Sequence, residues 1–287
     1  METDNLKIFV RGAYDLQKLR IQTGNRMCAN FKAKLGQKPS EKEDTIDEKG
    51  KEILKQIRHS YKKITDKVKT FPRQATFKGD QIISSFTELC LVAQYVSLES
   101  QEDSHFLRLG SMLNEYPIYT EYLKGVKGVG PAMAGVLISE IDIERCQYPS
   151  SLWKYAGLDV AEDGRGRSKK KEHLVSTKYV NKDGEDAIKL GITFNPWLKT
   201  KLIGVLASSF LKAGDNEFSQ VYRDYKNRIE NHPDHIEKTK GHRHNMAMRY
   251  MIKIFLLKFH MTWRAIAGLP VSTSYCEGKL GKVHKVG

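Results

Sequence analysis

The chain has 287 residues, 40% of them apolar, and carries 48 Lys and Arg against 34 Asp and Glu for a net charge of +14. This is enough length and apolar content for one large domain or two ordinary ones, which excludes a solvated polyelectrolyte chain. The positive excess selects an anionic partner, nucleic acid before an acidic membrane surface or an acidic protein. Cys28, Cys90, Cys146 and Cys276 form no Cys-x-x-Cys pair, which excludes a disulfide framework and a cysteine zinc ribbon.

In chain order, METDNLKIFVRG has no apolar h-region and reads as no signal peptide. Residues 5–35 read as a helix dense in Arg11, Lys18, Arg20, Arg26, Lys32 and Lys34, with Leu16, Leu19 and Ile21 as a partial apolar stripe. A polar loop, GQKPSEKEDTIDEKG, leads to a second helix capped by Asp44 or Thr45, with Ile53, Ile57, Tyr61 and Ile64 at helical spacing and Pro72 beyond its end. A third helix is expected over about 79–98 and a fourth over about 102–114. SSLWKYAGL reads as a short helix capped by Ser150 or Ser151 and ended by Gly157. HLVSTKYV and DAIKLGITF flank NKDG, a hairpin signal. Asn195-Pro196 starts a helix reaching Gly214. DNEFSQVYRDYKNRIE is another, with Phe218, Val221, Tyr222, Tyr225 and Ile229 on one face. A last helix spans about 243–266; its apolar run MIKIFLLKF is short, broken by Lys253 and Lys258, and cannot span a bilayer. The tail after Pro270 reads as irregular. The expected fold class is mainly α: a helical, basic region over 1–115, a helix-hairpin-helix domain with a small β-hairpin insertion over 116–270, and a tail over 271–287.

The densest signal is KGVKGVGPAMAGVLISEI, residues 124–141. Gly128-Val129-Gly130 is the Gly-hydrophobic-Gly turn of a helix-hairpin-helix motif: the glycines permit positive φ and close approach to a phosphate, and Val129 plugs the hairpin. Pro131 suits a first helical position, and Ala132, Ala134 and Gly135 let helices pack closely. Lys124 and Lys127 add charge beside the turn. Such a turn holds phosphates without reading bases. A plain helix–helix turn is the competing reading.

YLKGVKGVGPAMAGVLISEIDI followed by YPSSLWKYAGLDV resembles the C-terminal domain of the insertion-sequence one-ten family of transposases. Glu140, Asp142, Leu152, Tyr155, Gly157 and Leu158 fit that family's boxes, with Ile141 departing from its glycine-containing spacing. GRGRSKKK and NPWLKTKLIGVLASSF correspond to its next elements, and Ala247, Arg249 and Lys253 meet its last helical pattern, so the likeness runs over about 117–270. The resemblance implies DNA as partner and a part in transposition. Two departures bear on catalysis. The family's N-terminal RuvC-like domain, with four acids binding Mg²⁺, finds no counterpart in the helical, basic first 115 residues. The family's serine nucleophile has Asp163 in its place, within Glu162-Asp163-Gly164. The resemblance therefore supports DNA binding over autonomous strand chemistry, with Mg²⁺ expected only if chemistry is retained.

GRGRSKKK places Arg165, Arg167, Lys169, Lys170 and Lys171 around Ser168. Several phosphates neutralised there would give a steep salt dependence. Lys178, Lys182, Lys189, Lys199 and Lys201 extend the positive character, and Trp153 and Trp197 are assigned to packing. Ser168 is the weak catalytic candidate beside Asp163: a nucleophilic serine needs a base, and His173 is the base at hand. HPDHIEKTKGHRH offers His232, His235, His242 and His244, but at no zinc spacing, and no metal site is assigned. The expected protein is cytoplasmic and nucleoid-associated, binds duplex or junction DNA with structured RNA as a further partner, touches no membrane, and forms a homodimer if its helical N-terminal arms pair. The alternatives are a stand-alone helix-hairpin-helix protein recognising DNA structure in repair or recombination, and an RNA-binding protein.

Overall fold

A computed structural model describes residues 2–36, 48–68 and 70–272. The Asp44 or Thr45 cap, most of the polar loop, Cys276 and the tail beyond 272 lie outside the described residues. Among the described residues the protein is mainly α, with a single two-stranded hairpin. The chain divides into two compact units, Ile8–Leu109 and Met1–Lys7 with Gly110 onward.

In the unit Ile8–Leu109, helices α1 (Glu2–Lys34), α2 (Glu48–Thr65) and α3 (Phe86–Met112) share a core of Met27, Phe31, Ile53, Ile57, Ile83, Leu89, Val92 and Tyr95. Tyr61 and Ile64 pack against it. The α1 stripe differs from expectation: Leu19 and Ile21 are exposed, and the buried side is Val10, Ala13, Met27 and Phe31. The two helices expected over 79–98 and 102–114 are one continuous α3. The charged run that suggests a break contains Glu102, which is buried because Arg20 and Gln17 of α1 donate to it. The start also moves, to Phe86. Asp80 accepts from the amides of Ile82 and Ile83, and Ser85 and Glu88 bond reciprocally as a capping box.

In the second unit, α4 (Pro117–Glu121) and a 3₁₀ turn (Leu123–Gly125) precede α5 (Pro131–Glu140), which is buried from Met133 onward. Helix α6 (Pro149–Tyr155) has Pro149 at its first position and Tyr148 before it, so Ser150 and Ser151 lie inside the helix rather than capping it; Gly157, at φ +66°, ends it. Strands β1 (Val175–Val180) and β2 (Asp186–Gly191) pair antiparallel from Val175 opposite Gly191 to Val180 opposite Asp186. The Asn181 carboxamide accepts from the amides of Asp183 and Glu185 to close their turn. The helix from Pro196 to Lys212 is α7 (Pro196–Thr200), a π segment (Lys201–Leu206) and α8 (Ala207–Lys212). Asn216 caps α9 (Glu217–Glu230), and Thr239 caps α10 (Lys240–Ile266). Phe210, Phe218, Phe255, Phe259 and Trp263 contact one another in succession, tilted, edge-on, stacked and tilted, with ring centroids 4.7–5.9 Å apart. His260 and Arg264 of α10 meet the carbonyl of Cys146, tying that helix to the α5–α6 connection.

Two of the residues that carry the family resemblance meet in this core. The buried Glu140 and the Tyr155 hydroxyl both accept from the Asn195 carboxamide, at 2.6 and 3.1 Å, while Asn195 Oδ1 caps α7. Their work here is structural.

Candidate nucleic-acid interface

Gly128 has φ +94°, which only glycine adopts without strain. A Cβ there would lie 2.8 Å from the Phe210 ring and 3.2 Å from its backbone, and the Ser209 hydroxyl donates to the Gly128 carbonyl at 2.7 Å. Gly128 is thus a packing residue against α8. Gly130 differs: its φ is −89°, a Cβ there would meet nothing, and it is exposed. Val129 is 9% exposed and plugs the turn, and Lys124 and Lys127 face solvent on its approach.

The loop after α6 is folded back on itself. Val160 bridges Gly166, and the amides of Ala161 and Arg167 donate to the carbonyls of Arg165 and Asp159. Arg167 is engaged internally: its Nε donates to Asp159 Oδ2 at 2.9 Å, its Nη2 makes an ion pair with the same oxygen at 2.9 Å, and its Nη1 donates to the His173 carbonyl. Arg165, Lys169, Lys170 and Lys171 are exposed. Of the five basic residues in GRGRSKKK, four therefore face solvent and one holds the loop.

The same loop brings the two catalytic candidates together. Ser168 Oγ lies 2.7 Å from His173 Nδ1, and His173 Nε2 lies 3.2 Å from Asp163 Oδ2. The Ser168 amide also donates to Nδ1 at 3.0 Å, which requires Nδ1 to be the unprotonated nitrogen and places the ring proton on Nε2, facing Asp163. His173 is buried, and the Arg165 amide and the His173 ring hold the Asp163 carboxyl below its ordinary range. The arrangement can move a proton from the serine hydroxyl to an oriented imidazole.

A second group of cations lies on α7 and α10. Arg249 donates to the carbonyls of Gly157 and Asp159, and its guanidinium fills the space beside Gly166, where a Cβ would come within 2.7 Å. Lys199 donates to the Arg167 carbonyl and lies 4.8 Å over the Phe194 ring. Lys253 lies 5.5 Å over the Trp153 ring, whose indole N–H donates to the Lys253 carbonyl. Burial first, and the charge of Arg249 second, lowers the Lys199 ammonium to about 8. The same two causes lower Lys253, and burial lowers Arg249. Asp159 is the one acid acting favourably on all three. Lys201, at the start of the π segment, is lowered by burial and sits 5.4 Å over Trp197. Arg249 and Lys253 are legible from the family pattern. Asp159 and the central place of Lys199 are not, because they depend on contacts up to 90 residues apart in the chain. The one sequence signal is Asn195-Pro196, which starts the helix that presents Lys199.

The histidine segment is taken up otherwise. His244 Nδ1 lies 2.6 Å from the Tyr222 hydroxyl, and His235 lies beside Lys238 and His232. Among the described residues no three His, Cys, Asp or Glu side chains converge on a metal position.

Residues 120–182 match the model of the IS116/IS110/IS902 family of transposases. The matched segment holds the glycine turn, the box from Leu152 to Leu158 and the basic loop; the α7 and α10 patterns lie beyond it. The match agrees with the resemblance read from the residues and supports a transposase-like function in mobile elements. No curated protein and no solved structure matches the chain. Among the described residues no helix is long and apolar enough to cross a membrane.

Proposed function

We propose that residues 116–270 form a helix-hairpin-helix DNA-binding domain that grips the phosphate backbone during transposition or recombination of a mobile element. The observation that carries this is the half-buried group of Lys199, Arg249 and Lys253 around a single carboxylate, Asp159. Holding like charges together out of water costs free energy, and a polyanion offsets that cost. The exposed Arg165, Lys169, Lys170 and Lys171 on the adjoining loop supply further phosphate contacts. Lys124, Lys127 and the open Gly130 supply others at the start of α5. Contacts of this kind fix position on the strand without reading sequence. The domain acts at the nucleoid.

The test is fluorescence anisotropy over a salt series with duplex, four-way-junction and structured RNA probes. It compares wild type with Lys199→Met/Lys253→Met. Tight, salt-steep binding to duplex or junction that the variant weakens is the expected outcome. Binding to RNA alone gives the domain to RNA, and DNA binding untouched by the variant removes the cation group from the interface.

Binding without autonomous strand chemistry is the first reading. The Ser168–His173–Asp163 chain favours a second, in which Ser168 Oγ attacks a backbone phosphorus as its proton passes to His173 Nδ1, the phosphorus–oxygen bond to one deoxyribose breaks, and the leaving oxygen takes its proton from the His173 imidazolium, leaving a phosphoserine ester. The first reading expects no covalent protein–DNA adduct and unchanged affinity in Ser168→Ala. An adduct that Ser168→Ala abolishes replaces it with the second.

A further inference from the structure

The unit Ile8–Leu109 lies outside the segment matched by the transposase family, and it holds a cleft of its own. After α2 ends, the chain returns through Phe71, Pro72 and a 3₁₀ turn at Gln74–Thr76, and encloses about 700 Å³. That volume lies within the roughly 300–1,000 Å³ range of small-ligand sites. The wall contains Phe71 and Phe77, both edge-on to Phe86 at 6.4 and 6.1 Å between centroids. Phe71 remains 46% exposed and Val68 45%, so the apolar wall is uncovered.

The charge of the wall is one-sided. Lys63, Lys67, Arg73 and Lys78 line the cleft and are exposed. The one acid in the lining, Asp80, is occupied: Oδ2 accepts from the Ser60 hydroxyl at 2.6 Å, and Oδ1 accepts from the amides of Ile82 and Ile83. Gly79 makes that turn possible, because a Cβ there would lie 2.5 Å from the Ile83 carbonyl oxygen. A flat exposed ring beside four cations, with the local carboxylate already committed, is complementary to an aromatic heterocycle joined to a phosphate. An anionic lipid would find a charged rim but needs a deeper apolar slot for its chains, and an acidic peptide has no use for the exposed ring face.

From this we infer that the cleft binds a nucleotide unit, with the base on the Phe71 ring and the phosphate among Lys67, Arg73 and Lys78. The unit comes either from single-stranded nucleic acid or from a free nucleotide.

The experiment uses the full chain with Lys169, Lys170 and Lys171 changed to Gln, so that binding through the loop is reduced. A short single-stranded oligonucleotide carrying one 5-iodouracil is irradiated with the protein, and the labelled peptide is mapped by mass spectrometry. Label at Phe71 or Phe77 is expected. Phe71→Leu, a change at an exposed ring that leaves the core intact, should weaken binding about tenfold. The same variant should leave an abasic oligonucleotide unaffected. Lys67→Glu/Arg73→Glu should weaken both probes. Competition by 5-iodouridine monophosphate at concentrations comparable to the oligonucleotide assigns the cleft to a free nucleotide; failure to compete assigns it to a strand. Label mapping only outside the cleft overturns the inference, as does equal binding of normal and abasic probes by wild type and Phe71→Leu. Capture of phosphatidylserine vesicles that depends on Phe71, without crosslinking, also overturns it and gives the cleft to a membrane surface.

Discussion

The two units carry similar basic side chains and use them in opposite ways. In Ile8–Leu109 three cations are each matched by an acid from another helix: Arg20 with Glu102, Lys34 with Glu88, Arg58 with Glu99. In the second unit Lys199 and Lys253 each lie near Arg249, and Asp159 is the acid that acts on all three. Paired charges hold helices together, whereas charges crowded around one carboxylate leave an unmet demand for an anion. The net charge alone cannot tell these uses apart.

Substitutions separate them. The largest effect on folding is expected from Glu102→Ala. Removing the buried partner of Arg20 should cost about 3 kcal/mol by denaturant titration, discounted somewhat by the partial exposure of Arg20. DNA affinity should not change. A loss under about 0.5 kcal/mol would mean that the pair is incidental. Next comes Gly128→Val, which forces a β-branched residue to positive φ against Phe210 and should destabilise the second unit by about 2–3 kcal/mol. Gly130→Ala should leave its melting temperature in place, since its backbone is ordinary and the space beside it open. Equal effects at the two glycines would contradict the division of labour within the turn.

Lys253→Met should act the other way round from Glu102→Ala. It relieves repulsion, so stability holds, but DNA affinity should fall about tenfold and the salt slope by about one unit. The smallest effect is in pH. The folded Lys199 ammonium titrates at about 8 against an ordinary 10.5. Between those values the unfolded chain binds more protons, so this group's contribution to stability rises with pH. The charged groups acting on it are Arg249 and Asp159. DNA affinity, which needs the charge, should decline over the same rise from pH 8, and Lys199→Met should flatten both profiles. Profiles that stay parallel in wild type and variant would remove Lys199 from the interface.

Much of the fold was legible because its determinants are local: the hairpin in NKDG, the helix start at Asn195-Pro196, the stop at Gly157. The misplaced boundaries of α3 have two causes. The Ser85-Phe86-Thr87-Glu88 capping box is a local signal that marks the start. The charged run around Glu102 was not readable, because its meaning depends on Arg20, which lies 82 residues away. The candidate interface divides in the same manner. The turn and basic loop are contiguous in sequence and stand out, and Ser168, His173 and Asp163 fall within eleven residues. The cation group assembles from α7, α10 and the loop after α6, so Asp159 gave no sign of its place, and Arg167, read as a phosphate contact, is bonded to it instead.

The contact between Gly166 and Arg249 links the variability of two distant positions. The guanidinium occupies the volume that any side chain at 166 would need. An alanine at 166 would push aside the end of a flexible side chain, loosening the hydrogen bonds of Arg249 to the Gly157 and Asp159 carbonyls. Gly166→Ala should therefore lower the melting temperature slightly beside the native arginine, and not at all beside Arg249→Ser. The loop that bears the exposed cations is thus held at Gly164 by its φ of +73°, at Gly166 by Arg249 and at Arg167 by Asp159, and its solvent-facing charges lie between and beyond these points.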